Sequence, residues 1–320
     1  MSISDSVYLQ RTLDLAAQER GTIRKGPLLG WVVVKNDLVI AEGTSDDVFA
    51  LPQDHHRLAV WSHSELFLSI NPFANSNRLA SFCTDVGIQS FRIATEADSP
   101  IRAKALDLNR RYLTWSREKR PYIILKWAET RDGFMARANH RPYWISNSRS
   151  RQLVHQWRSQ EETIWVGKDT YCYDNPRLNV RHWQGLDPVR IVVDRNLQLD
   201  RQLQVFDQSQ PTWCYNAIKS ETHRNLLFIQ LSGLSSWSEW ISVIFNDLYQ
   251  RGVQSVFVEG GETLLSFLLS NEWWDEARVF RAPALFKDGL KAPKIHSAYL
   301  DSWQMIDDNA LSFYRRSSTS

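Results

Sequence analysis

Cysteine is scarce in this sequence: Cys83, Cys172 and Cys214 are the three among 320 residues, scattered and odd in number. That excludes a disulfide framework and a structural zinc cage, and it fits a reducing compartment. No apolar run reaches the roughly 18 residues a membrane helix needs. The opening stretch, MSISDSVYLQRTLDLAAQER, is charged and lacks an apolar core, so it does not read as a signal peptide. A cytoplasmic location is therefore expected. Charge of one sign is missing too. Lys plus Arg number 38 and Asp plus Glu 36, a net +2, which offers nucleic acid no broad attractive surface. The spaced G-x-G-x-x-G of a standard dinucleotide-binding turn is also absent. Tryptophan, by contrast, is plentiful. The chain has fourteen, and those in apolar segments, such as Trp273-Trp274, read as packing residues because an indole buries a large area.

The length accommodates two domains, and the basic stretch Arg117–Arg120 is the expected link between them. Ahead of it the pattern predicts a helix over 5–18, a hairpin of strands 30–34 and 38–41 around Asn36-Asp37, and a strand over 65–70. A short helix near 78–85, a strand over 91–94 and a helix over 101–116 follow. The stretch around which the chain is organised comes next. Tyr122–Lys126 is an apolar strand suited to burial on both faces, and Arg131-Asp132-Gly133 is a turn. Ser146-Asn147-Ser148 offers caps for a helix whose stripe is Leu153, Val154 and Trp157. Strand 163–166 ends in Gly167, and a loop is expected to hold Thr170, Asp174, Asn175, Pro176 and Arg181. This is a β–α–β unit with its polar residues in strand-to-helix loops, where open α/β sheets take their ligands.

Farther on, strands are expected at 189–194, 212–215 and 226–230, and a helix at 241–251. Strand 256–259 then runs through Glu259 into Gly260-Gly261 and a helix over 264–270. Backbone N–H groups at such a turn can approach a phosphate closely, although two adjacent glycines also suit a plain tight turn. Segments 275–280 and 310–314 are expected to close the sheet.

Taken together, Lys126–Gly133, Trp144–Ser146, Arg158, Val166–Thr170, Asp174–Arg181 and Val258–Thr263 resemble, in order and spacing, the reductase half of the bifunctional riboflavin-biosynthesis deaminase/reductase family. The resemblance implies an α/β fold in two parts. A cytidine-deaminase-like three-layer domain would span 1–117, and a dihydrofolate-reductase-like α/β domain 118–320. It also implies NADPH-dependent reduction of 5-amino-6-(5-phosphoribosylamino)uracil to the ribitylamino compound, and a homodimer formed through the reductase sheet.

Carried over position by position, the resemblance puts Trp144, Thr170, Asp174, Gly261, Glu262, Thr263 and Leu264 at the NADPH. Arg158, Leu178, Arg181 and Glu259 fall at the substrate, with Glu259 and Lys126 as the catalytic pair. A guanidinium fork matches a phosphate, so Arg158 and Arg181 are expected to clamp the substrate's 5-phosphate. Lys126 reads equally as an internal ion-pair partner. Two positions depart from the pattern. Glu129 stands where the family often has a small residue near the cofactor, and Pro142 where it often has a hydroxyl.

The deaminase half survives only as a skeleton. Its zinc needs a His and two thiolates, with a Glu to move protons. The Pro-Cys position here reads Asn71-Pro72-Phe73, and Cys83 has no thiolate companion. His55 and His56 precede Arg57 and Leu58 rather than a Glu, and His63-Ser-Glu65 falls late in the chain. No zinc and no deamination are expected. Two alternatives remain open at this point: a paralogue reducing another phosphoribosylated pyrimidine or a pterin-like compound, and a non-catalytic partner of an active deaminase.

Overall fold

The computed structural model describes residues 3–22, 26–44, 60–73, 76–98, 100–138 and 143–317. The chain divides into two compact units, Met1–Glu118 and Lys119–Ser320. His55, His56, Arg57, Leu58 and Pro142 lie outside the described residues.

The first unit is built on a four-stranded sheet of β1 (Trp31–Lys35), β2 (Leu38–Gly43), β3 (Glu65–Leu68) and β4 (Ser90–Ile93), in the order β2-β1-β3-β4. Asn36 and Asp37 take the left-handed φ values of 51° and 61° that a tight hairpin turn requires. Strand alternation then sorts the core into two layers. Val32, Val34 and Phe67 face Leu9 and Leu13 of α1 (Ile3–Gln18), with Ala105 and Leu108 of a later helix. Val33, Leu66 and Leu68 face Leu79, Cys83 and Val86 of α2 (Ser76–Val86). The result is the expected helix–sheet–helix sandwich. The helix expected over 101–116 is in fact two, α3 (Ile101–Leu108) and α4 (Arg110–Glu118). Buried Asn109 interrupts it by spending its amide on the backbone of Leu28 (2.8 and 3.2 Å), a partner that no local pattern reveals.

The second unit carries a ten-stranded sheet. Its strands are β5 (Tyr122–Thr130), β7 (Thr163–Trp165), β8 (Val189–Val193), β9 (Thr212–Asn216), β10 (Glu221–His223), β11 (Leu226–Gln230), β12 (Ser255–Glu259), β13 (Glu276–Ala282), β15 (Ala298–Ile306) and β16 (Asn309–Arg316). They run in the order β10-β11-β9-β8-β7-β12-β5-β13-β16-β15. The strands from β11 to β13 are mutually parallel, and antiparallel strands finish both edges. A separate two-stranded piece pairs β6 (Phe134–Arg137) with β14 (Gly289–Lys291).

Both faces of this sheet are covered. One core layer packs Ile123, Leu125, Trp127, Val256 and Val258 under α7 (Trp237–Gln250) and α8 (Glu262–Ser270). The other packs Ile124, Ile164 and Phe257 under Val154 and Trp157 of α5 (Ser148–Gln160). Asn147 caps α5 by accepting from the Ser150 amide at 2.8 Å, and Ser236 with Glu239 forms a reciprocal capping box on α7.

Two expectations are corrected here. The first part of the segment after β7 is not a loop: Lys168–Asp174 forms a helix, α6, which carries Thr170 and Asp174, and the loop that holds Pro176 and Arg181 starts only at Asn175. Segments 275–280 and 310–314 do not end the sheet, because β15 lies outside them. β15 is exposed along nearly all its length, so it lacks the buried alternation by which strands are recognised.

Candidate active site

β12 enters between β7 and β5, so the chain switches direction across the sheet at these strands. The crevice outside their carboxyl ends is where open α/β sheets bind ligands. Glu259, the last residue of β12, is the register partner of Lys126 on β5. Alternation puts both on the α5 face, in step with Phe257 and Ile124. Arg158, on the last turn of α5, reaches down to meet them. Its Nε donates to Glu259 Oε1 at 2.6 Å and its Nη2 to Oε2 at 3.0 Å, while Lys126 Nζ stands 3.8 Å from Oε2. All three side chains are largely buried, at 9–15 % exposure.

Burial by itself raises the Glu259 carboxyl, but the charges of Arg158 and Lys126 prevail and hold it below the usual carboxylate range. Lys126 is shifted down, first by burial and then by Arg158, with Glu259 opposing. The site therefore holds one carboxylate among more cations than it neutralises, which suits an anionic or electron-rich ligand.

A strap of chain crosses this cluster. Arg158 Nη1 donates to the Asn179 carbonyl at 3.0 Å, and the Val180 amide donates to Asp187 at 2.6 Å. The Arg181 amide donates to Nδ1 of buried His155 at 3.3 Å. Arg181 itself is exposed, and its Nη1 donates to Asn179 Oδ1 at 3.2 Å. Leu178 anchors the strap with a left-handed φ of 57° and a side chain only 2 % exposed.

Two expectations change on this geometry. Arg158 is committed to Glu259 and Asn179, so Arg181 is the more available guanidinium of the pair. Leu178 packs into the core, so only its backbone can face a substrate. Composition and motif reading singled out neither His155 nor Asn179. His155 was nonetheless legible as a neighbour of Arg158, three residues earlier on the same helical face.

Gly260 and Gly261 follow Glu259 with φ of 76° and 78°, a region open to glycine. A Cβ on Gly261 would stand 3.1 Å from both the Cα and N of Gly167 and 3.4 Å from Thr170 Oγ1. The turns after β7 and β12 thus touch through bare backbone, and the first N–H groups of α8 open beside them. Such a turn can accept a phosphate and would be crowded by a side chain, so the residues fit a pyrophosphate-bearing cofactor. Glu262 heads α8, but its carboxylate accepts from Ser266 Oγ one turn on (2.6 Å) and is drawn along the helix. Thr263 is exposed, and Leu264 is a core residue that can offer only its backbone. Asp174 is exposed at the end of α6.

Trp144 lies just ahead of the Asn147 cap of α5. It is 72 % exposed with Arg151 over its ring at 4.9 Å. It lines a cleft of ≈ 450 Å³ with Tyr143, Ala282, Pro283 and Asp308. Glu129 is buried, accepts from Trp127 Nε1 (3.0 Å) and is neutralised by Arg281 (2.8 Å). Asp132 is a turn brace, accepting from Thr130 and from the Phe286 and Lys287 amides.

His155 provides a pH test. Burial first, then the neighbouring Arg158 and Arg181 charges, push its imidazole down to about 4. An unfolded imidazole titrates near roughly 6.5, so between these values the unfolded chain binds the extra proton. The stability that His155 contributes above about pH 6.5 is therefore expected to be lost as pH falls toward 4, by on the order of 3 kcal/mol. Urea denaturation of wild type and His155→Asn across that range checks it. A difference between the two that does not change with pH would contradict the shift.

An ammonium, a carboxylate and a guanidinium gathered at the switch point of a mostly parallel sheet, beside a double-glycine turn, give this α/β unit the form of an enzyme's ligand site. The RibD C-terminal domain matches residues 121–292, just over half of the chain. The chain therefore belongs to the RibD family of riboflavin biosynthesis, and its second unit carries the family's reductase domain. The riboflavin biosynthesis protein RibD of Aquifex aeolicus is 27% identical over 322 residues, 89% of each chain. That of Bacillus amyloliquefaciens is 25% identical, covering 95% of this chain and 90% of its own. A Thermotoga maritima protein described as a diaminohydroxyphosphoribosylaminopyrimidine deaminase/5-amino-6-(5-phosphoribosylamino)uracil reductase superposes with a TM-score of 0.79 at 22% identity. It covers 98% of this chain and 99% of that one, and shows the same two-part fold.

Proposed function

We propose that this chain reduces 5-amino-6-(5-phosphoribosylamino)uracil to the ribitylamino compound with NADPH and has lost deamination. The observation that carries the reading is the Lys126–Glu259–Arg158 cluster, joined through Gly260 to the phosphate cradle. NADPH, when bound, supplies the hydride. The Gly261–Leu264 turn and Thr170 would hold its phosphates, and Trp144 and Asp174 belong to the same assignment. Arg158 and Glu259 orient the sugar and ring polar groups, and Arg181 takes the phosphate. Lys126, with its pKa lowered by burial, gives up a proton more readily to the oxygen exposed when the ribosyl ring opens.

The test follows NADPH absorbance with the deaminated substrate and, in parallel, with its still-aminated precursor. Oxidation with the deaminated compound alone is the expected result. NADPH binding without turnover of either would transfer the reading to a paralogue with another substrate. No NADPH binding would favour a non-catalytic partner of a deaminase.

Two features support the loss of deamination. Phe73 stands where a thiolate ligand is expected, held by Arg78 over its ring at 4.9 Å. Cys83 is a core residue whose thiol burial pushes up to about 11, so it stays protonated. Elemental analysis of the purified chain is expected to find zinc far below stoichiometric, and one zinc per chain would overturn this reading. A homodimer through β15 is supported by its position at the sheet edge and by exposed Tyr299, Leu300, Trp303 and Met305. Light scattering should show a dimer that Trp303→Lys splits into monomers; an unchanged mass for that variant would move the interface elsewhere.

A further inference from the structure

We propose that His155 is a positioning residue for substrate phosphate: its Nδ1 lone pair fixes the backbone of Arg181 and so aims a guanidinium that is not spent on Glu259. The inference rests on the phosphorylated-substrate reading above.

The strap 178–181 is held at separate points. Leu178 is buried at one end, Arg158 binds the Asn179 carbonyl, and Asp187 accepts the Val180 amide. The Arg181 amide is the last point, and its acceptor is His155 Nδ1 at 3.3 Å. An amide N–H can only donate, so the facing nitrogen must carry a lone pair. His155 is therefore neutral, with its proton on Nε2. The surroundings enforce this. Arg158 on its own helix and Arg181 on the strap oppose a second positive charge, while His182 meets the ring edge-on at 4.9 Å. Among the described residues Glu259 is the carboxylate that acts on it, and it is held by Arg158 and Lys126. The same helical face thus does two things one turn apart: Arg158 locks the carboxylate, and His155 locks the strap.

Among the described residues the Arg181 side chain makes a single hydrogen bond, to Asn179 Oδ1, and the residue is exposed. Its direction is set by the backbone from which it springs. Without the acceptor, the strap loses its backbone anchor at Arg181 itself, and the guanidinium, held by Asn179 Oδ1 alone, samples orientations that miss the phosphate.

The test uses the full chain and two substitutions. His155→Asn places an amide oxygen where Nδ1 sits and keeps an acceptor, whereas His155→Leu keeps the volume and removes it. Three readouts are taken: hydrogen exchange of the peptide spanning the strap, affinity for ribose 5-phosphate by calorimetry, and KM and kcat with the phosphoribosylaminouracil. For His155→Leu, faster exchange of the strap is expected, with weaker ribose 5-phosphate binding and KM raised about tenfold. NADPH affinity and kcat should be nearly unchanged, and His155→Asn should restore all three readouts toward wild type.

Unchanged exchange in His155→Leu overturns the positioning role. Faster exchange with unchanged phosphate affinity overturns its link to the phosphate. Equal damage in both variants means that His155 acts by packing. A wild type inactive on the uracil substrate would sink the substrate reading alone, because exchange and ribose 5-phosphate binding still decide the role of His155. A wild type that does not bind ribose 5-phosphate overturns the proposal.

Discussion

Glu259→Gln is expected to produce the largest loss of any single substitution in this chain. Among the described residues the carboxylate is the anion in direct contact with Arg158 and Lys126, and all three are largely buried. Glutamine keeps the shape and one acceptor but leaves two buried cations uncompensated. Breaking a buried pair in this way costs about 3–5 kcal/mol, out of a total stability of roughly 5–15 kcal/mol for a typical domain. Part of the loss is relieved by Lys126, which burial already shifts downward and which can release its proton once Glu259 no longer opposes that shift. Turnover is expected to fall about 100-fold or more, because the groups proposed to orient the substrate lose their common anchor. NADPH affinity should change little, since the proposed cradle contacts would be made by backbone on the far side of Gly260. Urea denaturation, fluorescence titration with NADPH and steady-state kinetics separate these effects. If NADPH binding collapses in step with turnover, Glu259 belongs to the cofactor and not to the substrate.

The second large effect belongs to the cradle, and its control lies next door. Gly260 and Gly261 share nearly the same left-handed φ, so alanine at either pays a similar backbone penalty of about 1 kcal/mol. Their surroundings differ. A Cβ on Gly260 meets nothing within 4 Å, whereas one on Gly261 comes to 3.1 Å from Gly167 backbone. Gly261→Ala must therefore spread the turns after β7 and β12, and is expected to weaken NADPH binding about tenfold or more relative to Gly260→Ala. Equal affinities for the two variants would mean that the phosphates do not sit between these turns.

Much of the scaffold was readable in advance because its signals are local. The hairpin at Asn36-Asp37, the Asn147 cap, the strand through Glu259 and the double glycine after it all depend on residues within a few positions of each other. The extent of α6 was not readable: Lys168–Asp174 is short and polar, with only Tyr171 buried, so no apolar period marks it. Nor was β15, whose side chains are mostly exposed on both faces. The break at Asn109 depended on Leu28, far away in the chain.

The candidate site divides along the same line. By itself the sequence determined which chemical groups the protein owns: a lysine and a glutamate near the ends of apolar strands, an arginine late in a helix, and glycines where backbone must come close. Strand period and turn chemistry are properties of neighbouring residues, and these groups follow from them. Only the tertiary structure decided who meets whom. Glu259 finds Arg158 across 101 residues because β12 inserts between β7 and β5, an order chosen by burying Ile123, Leu125, Val256 and Val258 in one layer and Ile124, Ile164 and Phe257 in the other. That burial is cooperative and non-local. It turned a pair of arginines expected to clamp one phosphate into two with different tasks, one fixed on a carboxylate and one held at the end of a strap by a histidine.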